Sequence, residues 1–133
     1  MPYTGQPVSS TVYNAYRAKV GDGKSVRIPV PEKTAIEAGL FYEISGFFGS
    51  AIQSVKTLAG DTSEIILNIE QAEYETDQIE KTQSFKFGTK IYFDKGKFTE
   101  TKSDTTRFAG TVTQSKDAKG VIWFILAPQG GNV

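Results

Sequence analysis

The sequence contains no cysteine and no histidine. Without cysteine there is no disulfide, no thiolate metal ligand and no cysteine nucleophile. Without histidine the commonest general base and the commonest transition-metal ligand are both missing, which excludes serine–histidine hydrolases and zinc hydrolases in their usual forms. An excess of either charge is also lacking: 15 basic residues balance 15 acidic ones over 133 residues. Such a surface exerts no general attraction on nucleic acid or anionic membrane. It also repels itself little, which suits dense packing against copies or a partner. No apolar run approaches the ~20 residues that span a bilayer. The opening Met1–Ser10 has neither the basic nor the apolar region of a secretory signal. Nowhere is a helical period sustained.

What is present is a series of short strand-like runs separated by Gly, Asp and Lys turns, the pattern of one all-β domain, a small barrel or sandwich of antiparallel strands. Residues 1–18 are read as an extended N-terminal arm, 19–128 as the β domain and 129–133 as a flexible C-terminus. Pro2, Gly5 and Pro7 argue against regular structure at the start. Tyr3, Val12, Tyr13 and Tyr16 are the candidate partner-binding residues of the arm, as aromatic anchors and as backbone able to add a strand to a partner's sheet.

Within the β domain, Ser25–Pro31 alternates, with Val26, Ile28 and Val30 on one face, and Pro29 and Pro31 confine it to a sheet edge. Glu32–Ala38 is expected to make one short helix or a turn, stopped by Gly39. Leu40–Ile44 and Phe47–Val55 form a hairpin about Ser45-Gly46, and Gly49 signals a bulge or a close backbone approach. Thr62–Glu70 is a half-buried strand with Ile65, Leu67 and Ile69 inward. Thr89–Phe93 turns at Asp94-Lys95-Gly96-Lys97 and returns through Phe98–Thr101. Arg107–Gln114 is a strand, and Val121–Leu126 closes the domain as an apolar run expected to be buried on both faces, with Trp123 in the core. Phe85 and Phe87 are expected to share a core-facing side.

Candidate chemistry is sparse. Asp22, Asp61 and Asp94 sit in turns, where aspartate bonds the local backbone, and none has the ligand spacing of a calcium loop. Glu70, Glu73, Glu75 and Asp77 are a possible carboxylate group without a visible cleft. Gly21-Asp22-Gly23-Lys24-Ser25 ends like a phosphate loop, but Ala18 stands where the first Gly is required and a strand follows instead of a helix. No catalytic, cofactor or metal residue is assigned, and the chain is read as a non-enzyme. Charge is segregated along it: Asp61–Glu80 has seven acidic residues and no basic one, while Lys81–Lys102 has six lysines against Asp94 and Glu100. The two stretches either pair between neighbouring copies or are solvated strand faces.

The ordered set Gly23-Lys24-Ser25-Val26-Arg27-Ile28-Pro29, Ile36-Glu37-Ala38-Gly39-Leu40-Phe41-Tyr42-Glu43-Ile44, Gly46-Phe47-Phe48-Gly49-Ser50-Ala51, Ala59-Gly60-Asp61-Thr62, Phe87-Gly88-Thr89-Lys90-Ile91-Tyr92-Phe93-Asp94 and Phe108-Ala109-Gly110-Thr111-Val112 resembles the tailed-phage capsid cement, or head decoration, proteins. The resemblance covers about residues 20 to 127. It implies a structural virion protein that binds the outside of an expanded phage head, partnered by the major capsid protein and by copies of itself in a homotrimer. It implies no enzyme activity, no cofactor, no membrane and no nucleic acid. Two other readings of the residues stand beside it. One is a different virion part, such as a head-fibre base or tail component. The other is a single-strand-binding barrel, suggested by aromatic residues interleaved with lysine.

Overall fold

The computed structural model describes residues 21–130. They form eleven strands and, among the described residues, no helix: β1 (Ser25–Val30), β2 (Ala35–Ile36), β3 (Phe41–Ile44), β4 (Phe47–Ala51), β5 (Val55–Lys56), β6 (Ser63–Asn68), β7 (Glu73–Thr76), β8 (Lys90–Asp94), β9 (Lys97–Thr99), β10 (Arg107–Gln114) and β11 (Ile122–Leu126). A four-stranded sheet has the order β1-β6-β4-β3, a five-stranded sheet the order β7-β11-β10-β8-β9, and β2 pairs with β5 alone. All these pairings are antiparallel.

Two cores result, and the β3–β4 hairpin lies between them. On one side Phe41 and Phe48 join Ile79, Phe85, Ile91, Phe93, Phe98, Ala109, Val112, Ile122, Phe124 and Leu126, an aromatic core against the five-stranded sheet. On the other side Ala51 joins Ile28, Val30, Ile36, Ile65 and Leu67, with Tyr42, Ile44 and Phe47 packed against them. The period-2 alternation of a strand explains this division: the directly opposed pairs Phe41/Ser50 and Glu43/Phe48 share one face, and Tyr42/Gly49 and Ile44/Phe47 the other. The second core is a half-barrel of aliphatic side chains closed over by the β2–β5 pair.

Phe98 is the centre of the aromatic core. Its ring lies 5.2 Å from Phe41, 5.8 Å from Phe48, 5.2 Å from Phe93 and 4.8 Å from Phe124, centroid to centroid. The tilted and edge-on geometries are those the aromatic quadrupole favours.

The hairpin is stitched to the rest by two glutamine amides that imitate strand neighbours. Gln78 accepts from Phe41 N–H at 2.8 Å and donates to Phe41 C=O at 2.9 Å. Gln129 accepts from Phe48 N–H at 2.9 Å and donates to Phe48 C=O at 2.8 Å. The second contact lies where β6 stops: β4 pairs with β6 only at Ser50 and Ala51, so Phe48 would otherwise have no ladder partner on that side. Arg107 adds a third tie. It donates to Gly46 C=O and to Gln129, pairs with Glu43 at 3.4 Å and lies 6.0 Å from the Phe48 ring centroid.

Several expectations hold. β1 is an edge strand with Ile28 and Val30 buried, Ile65 and Leu67 are buried, and both hairpins close through two-residue turns. In those turns Ser45-Gly46 and Lys95-Gly96 have positive φ throughout, the geometry that matches strand twist. Gly49 is a close approach: a Cβ there would lie 2.2 Å from the Asn68 carbonyl oxygen.

Others are corrected. At Glu32–Ala38 the short helix is absent and the alternative, a turn, is what leads into β2. The backbone N–H groups of Thr34, Glu37 and Ala38 are taken by Thr57, Tyr42 and Ser54 side chains, and Ile36 is buried in the half-barrel. So few residues between Pro31 and Gly39 cannot sustain a helix against such contacts. The second hairpin strand ends at Ala51, not at Val55, which belongs to β5. β11 is buried on one face only: Ile122, Phe124 and Leu126 point inward, Trp123 is half-buried and Ile125 is 46% exposed. Phe85 and Phe87 do not share a face, because Phe85 has φ 49° and the segment is not a strand; Phe85 is fully buried and Phe87 is 74% exposed.

Candidate functional site

The turn aspartates make turns. The Asp22 carboxylate accepts from Lys24 N–H and the Asp61 carboxylate from Leu58 N–H. Asp117, in the β10–β11 loop, accepts from both Lys119 and Val121 N–H, and the Val121 bond above all holds its carboxyl below the usual carboxylate value. Among the described residues there is no group of three or more acidic side chains placed to hold a metal ion.

The carboxylates of the acidic stretch are likewise separated by the fold. Glu70 pairs with Lys24 at 3.5 Å, Glu80 with Lys97 at 3.8 Å, and Glu64 with Arg27 at 3.5 Å. Glu73 and Glu75 lie on the outer face of the five-stranded sheet, opposite Ile125 and Trp123, where Glu73 accepts a hydrogen bond from Thr113. The intervening Tyr74 points inward and donates to Glu70 C=O at 2.7 Å. Burial, and next the charge of Glu70, push its phenol up to about 12.

An open polar recess of about 430 Å³ lies beside β8 and β9, lined by Glu80, Gln83, Asp94, Lys95, Lys97 and Thr99 among others. Gln83 is fixed there, its carbonyl accepting from Thr99 Oγ1 and Glu100 N–H. The acidic and lysine-rich stretches thus meet within one molecule at Glu80–Lys97. This arrangement binds its own strands together and aligns no nucleophile with a base.

The surface instead offers isolated apolar side chains: Ile52 (54% exposed), Leu58 (62%), Phe87 (74%) and Ile125. Sequence reading missed two of these: it places Phe87 on a core-facing side with Phe85, and Ile125 in a run expected to be buried on both faces, with Phe124 and Leu126 its buried neighbours. The arm residues singled out from sequence, Tyr3, Val12, Tyr13 and Tyr16, lie outside the described residues.

No curated protein and no solved structure matches the chain significantly. Residues 20–128 match the phage cement proteins. That span runs from just before β1 to just beyond β11, and so takes in both sheets, both cores and the hairpin between them. The ordered strand-and-turn series thus carries a family's signature as well as a fold, and the chain belongs to the phage cement protein family, structural components of the virion that stabilise the capsid.

Proposed function

We propose that the chain decorates the outside of the expanded head as a homotrimer at three-fold positions, bridging neighbouring capsid subunits without enzymatic activity. In this reading residues 1–18 are a gripping arm, and Tyr3, Val12, Tyr13 and Tyr16 anchor it on the major capsid protein. The observation that supports it is the extent of the family match, which begins at residue 20 and leaves the tyrosine-bearing segment outside the shared domain. A cement protein must resist internal pressure through many modest contacts over a repeated lattice, and avidity multiplies such contacts. An arm that adds a strand to a capsid edge supplies backbone hydrogen bonds with few demands on sequence.

Co-sedimentation of the full chain with expanded heads tests this. Binding is expected to saturate at a fixed ratio of copies to capsid subunits. Removal of residues 1–16 is expected to weaken it while the circular dichroism of the β domain is unchanged. Equal binding by the shortened chain would remove the arm from the account.

A further inference from the structure

The two large sheets have four outer edges, and three of them are closed in different ways. On β1, the bond from Ile69 N–H to Lys24 C=O sets the alternation, so Ser25, Arg27 and Pro29 turn their backbone groups outward. Pro29 has no N–H, and Pro31 follows it, which interrupts any added strand. On β3, the outward groups of Phe41 are taken by Gln78. On β9, Phe98 bonds through its N–H to Gln78 C=O and through its C=O to Glu80 N–H.

The fourth edge, β7, has no such cover among the described residues. The bond from Leu126 N–H to Ala72 C=O places Ala72, Tyr74 and Thr76 toward β11, and so turns the N–H and C=O of Glu73 and Glu75 outward. There is no proline in this segment, and its two outer-face side chains are both acidic and exposed. An uncovered edge of this kind is a template for pairing with another chain.

We propose that the β7 edge receives residues 17–20 of a neighbouring copy as a sixth strand, with Arg17 and Lys19 over Glu73 and Glu75. Three observations select this occupant. Residues 1–20 contain no acidic residue, and their two basic side chains are Arg17 and Lys19. The acidic stretch from Asp61 to Glu80 contains no basic residue. The spacing also agrees: on a strand, residues two apart share a face, so Arg17 and Lys19 stand in the same relation as Glu73 and Glu75. The segment from Val8 to Val20 contains no proline, so nothing in it forbids a ladder. The distal part, with Tyr3, Val12, Tyr13 and Tyr16, is left to reach the capsid. The inference draws on the homotrimer of the preceding reading only in requiring a neighbouring copy.

The absence of native cysteine makes disulfide trapping a direct test. One cysteine is placed at position 17 or 19 and one at position 73 or 75, giving four full-length double variants. Residues directly opposed through hydrogen bonds lie about 5.5 Å apart at Cα, within the span of about 4.4–6.8 Å that a disulfide bridges. Each variant is oxidised alone in solution and on expanded heads, then run on non-reducing gels. At least one pairing is expected to give covalent dimers and trimers in one of the two settings. Bonds formed only within single chains, or no bond from any pairing in either setting, would overturn the proposal. A charge test accompanies it: R17E/K19E and E73K/E75K are each expected to weaken self-association at least ten-fold, and their combination to restore it. Unchanged association in both would also overturn it. Failure of the parent protein to bind heads would contradict the capsid reading while leaving the trapping result in solution to stand by itself.

Discussion

At Gly49 and Gly110 a methyl group has nowhere to go. A Cβ at either position would lie 2.2 Å from a backbone carbonyl oxygen, of Asn68 in one case and Ile125 in the other. Neither glycine has positive φ, so the demand is for close strand approach and not for a turn. Gly49→Ala and Gly110→Ala are each expected to destabilise by roughly 1–3 kcal/mol or more through overpacking against backbone that cannot step aside. Gly21→Ala, with nothing within 4 Å, is expected to be neutral in the same chemical denaturation series. Equal effects at the three positions would refute this assignment. Phe98→Ala is expected to cost about 3–5 kcal/mol through its cavity, and Trp123→Ala distinctly less, because Trp123 is only half-buried on the outer face. Tyr74 gives a pH signature. The folded state holds its proton more tightly than the unfolded chain, so this contribution is intact below the ordinary value of 10.0 and is lost as pH rises from there through about 12. In an absorbance titration the parent should show a phenol that ionises near pH 12, and Tyr74→Phe should lack it. Tyr74→Phe should also lose less stability over that alkaline range.

At the scale of elements, the two glutamine amides do the work of missing ladder partners. Gln78→Ala and Gln129→Ala each strand an N–H and a C=O of the hairpin, and each is expected to cost about 1–3 kcal/mol. Amide exchange should accelerate at Phe41 in the first variant and at Phe48 in the second, and unaltered exchange at both would show that water substitutes freely. No feature of the sequence marks these glutamines, because their partners lie 37 and 81 residues away. The strands that alternate clearly, β1 and β6, were legible because one face of each meets a core and the other meets water. β7 shows no such alternation of apolar and polar residues, since Tyr74 and Thr76 are its only inward side chains and glutamates flank the tyrosine. β2 is too short for any period to show, and its backbone donors answer to distant side chains. The apolar run of β11 suggested two buried faces, whereas the sheet has a core on only one side there. Of the candidate site, the arm could be proposed from its tyrosines and prolines. The free edge of β7 could not, because an edge is a property of the sheet order and not of any one strand's residues.

At the scale of the whole molecule, family and architecture agree on a protein that acts through surfaces. Two cores share one hairpin, which is tied to the five-stranded sheet through Gln78, Gln129 and Arg107. A load on one half therefore passes to the other through packed aromatic rings and backbone hydrogen bonds, a construction suited to holding a shell together. The claim that the chain stabilises the capsid is tested most directly by heating DNA-filled heads of its own phage with and without the protein and following DNA release. Heads carrying the full complement are expected to rupture at a higher temperature than bare heads, by a margin that grows with occupancy. Identical rupture temperatures at saturating protein would contradict the account.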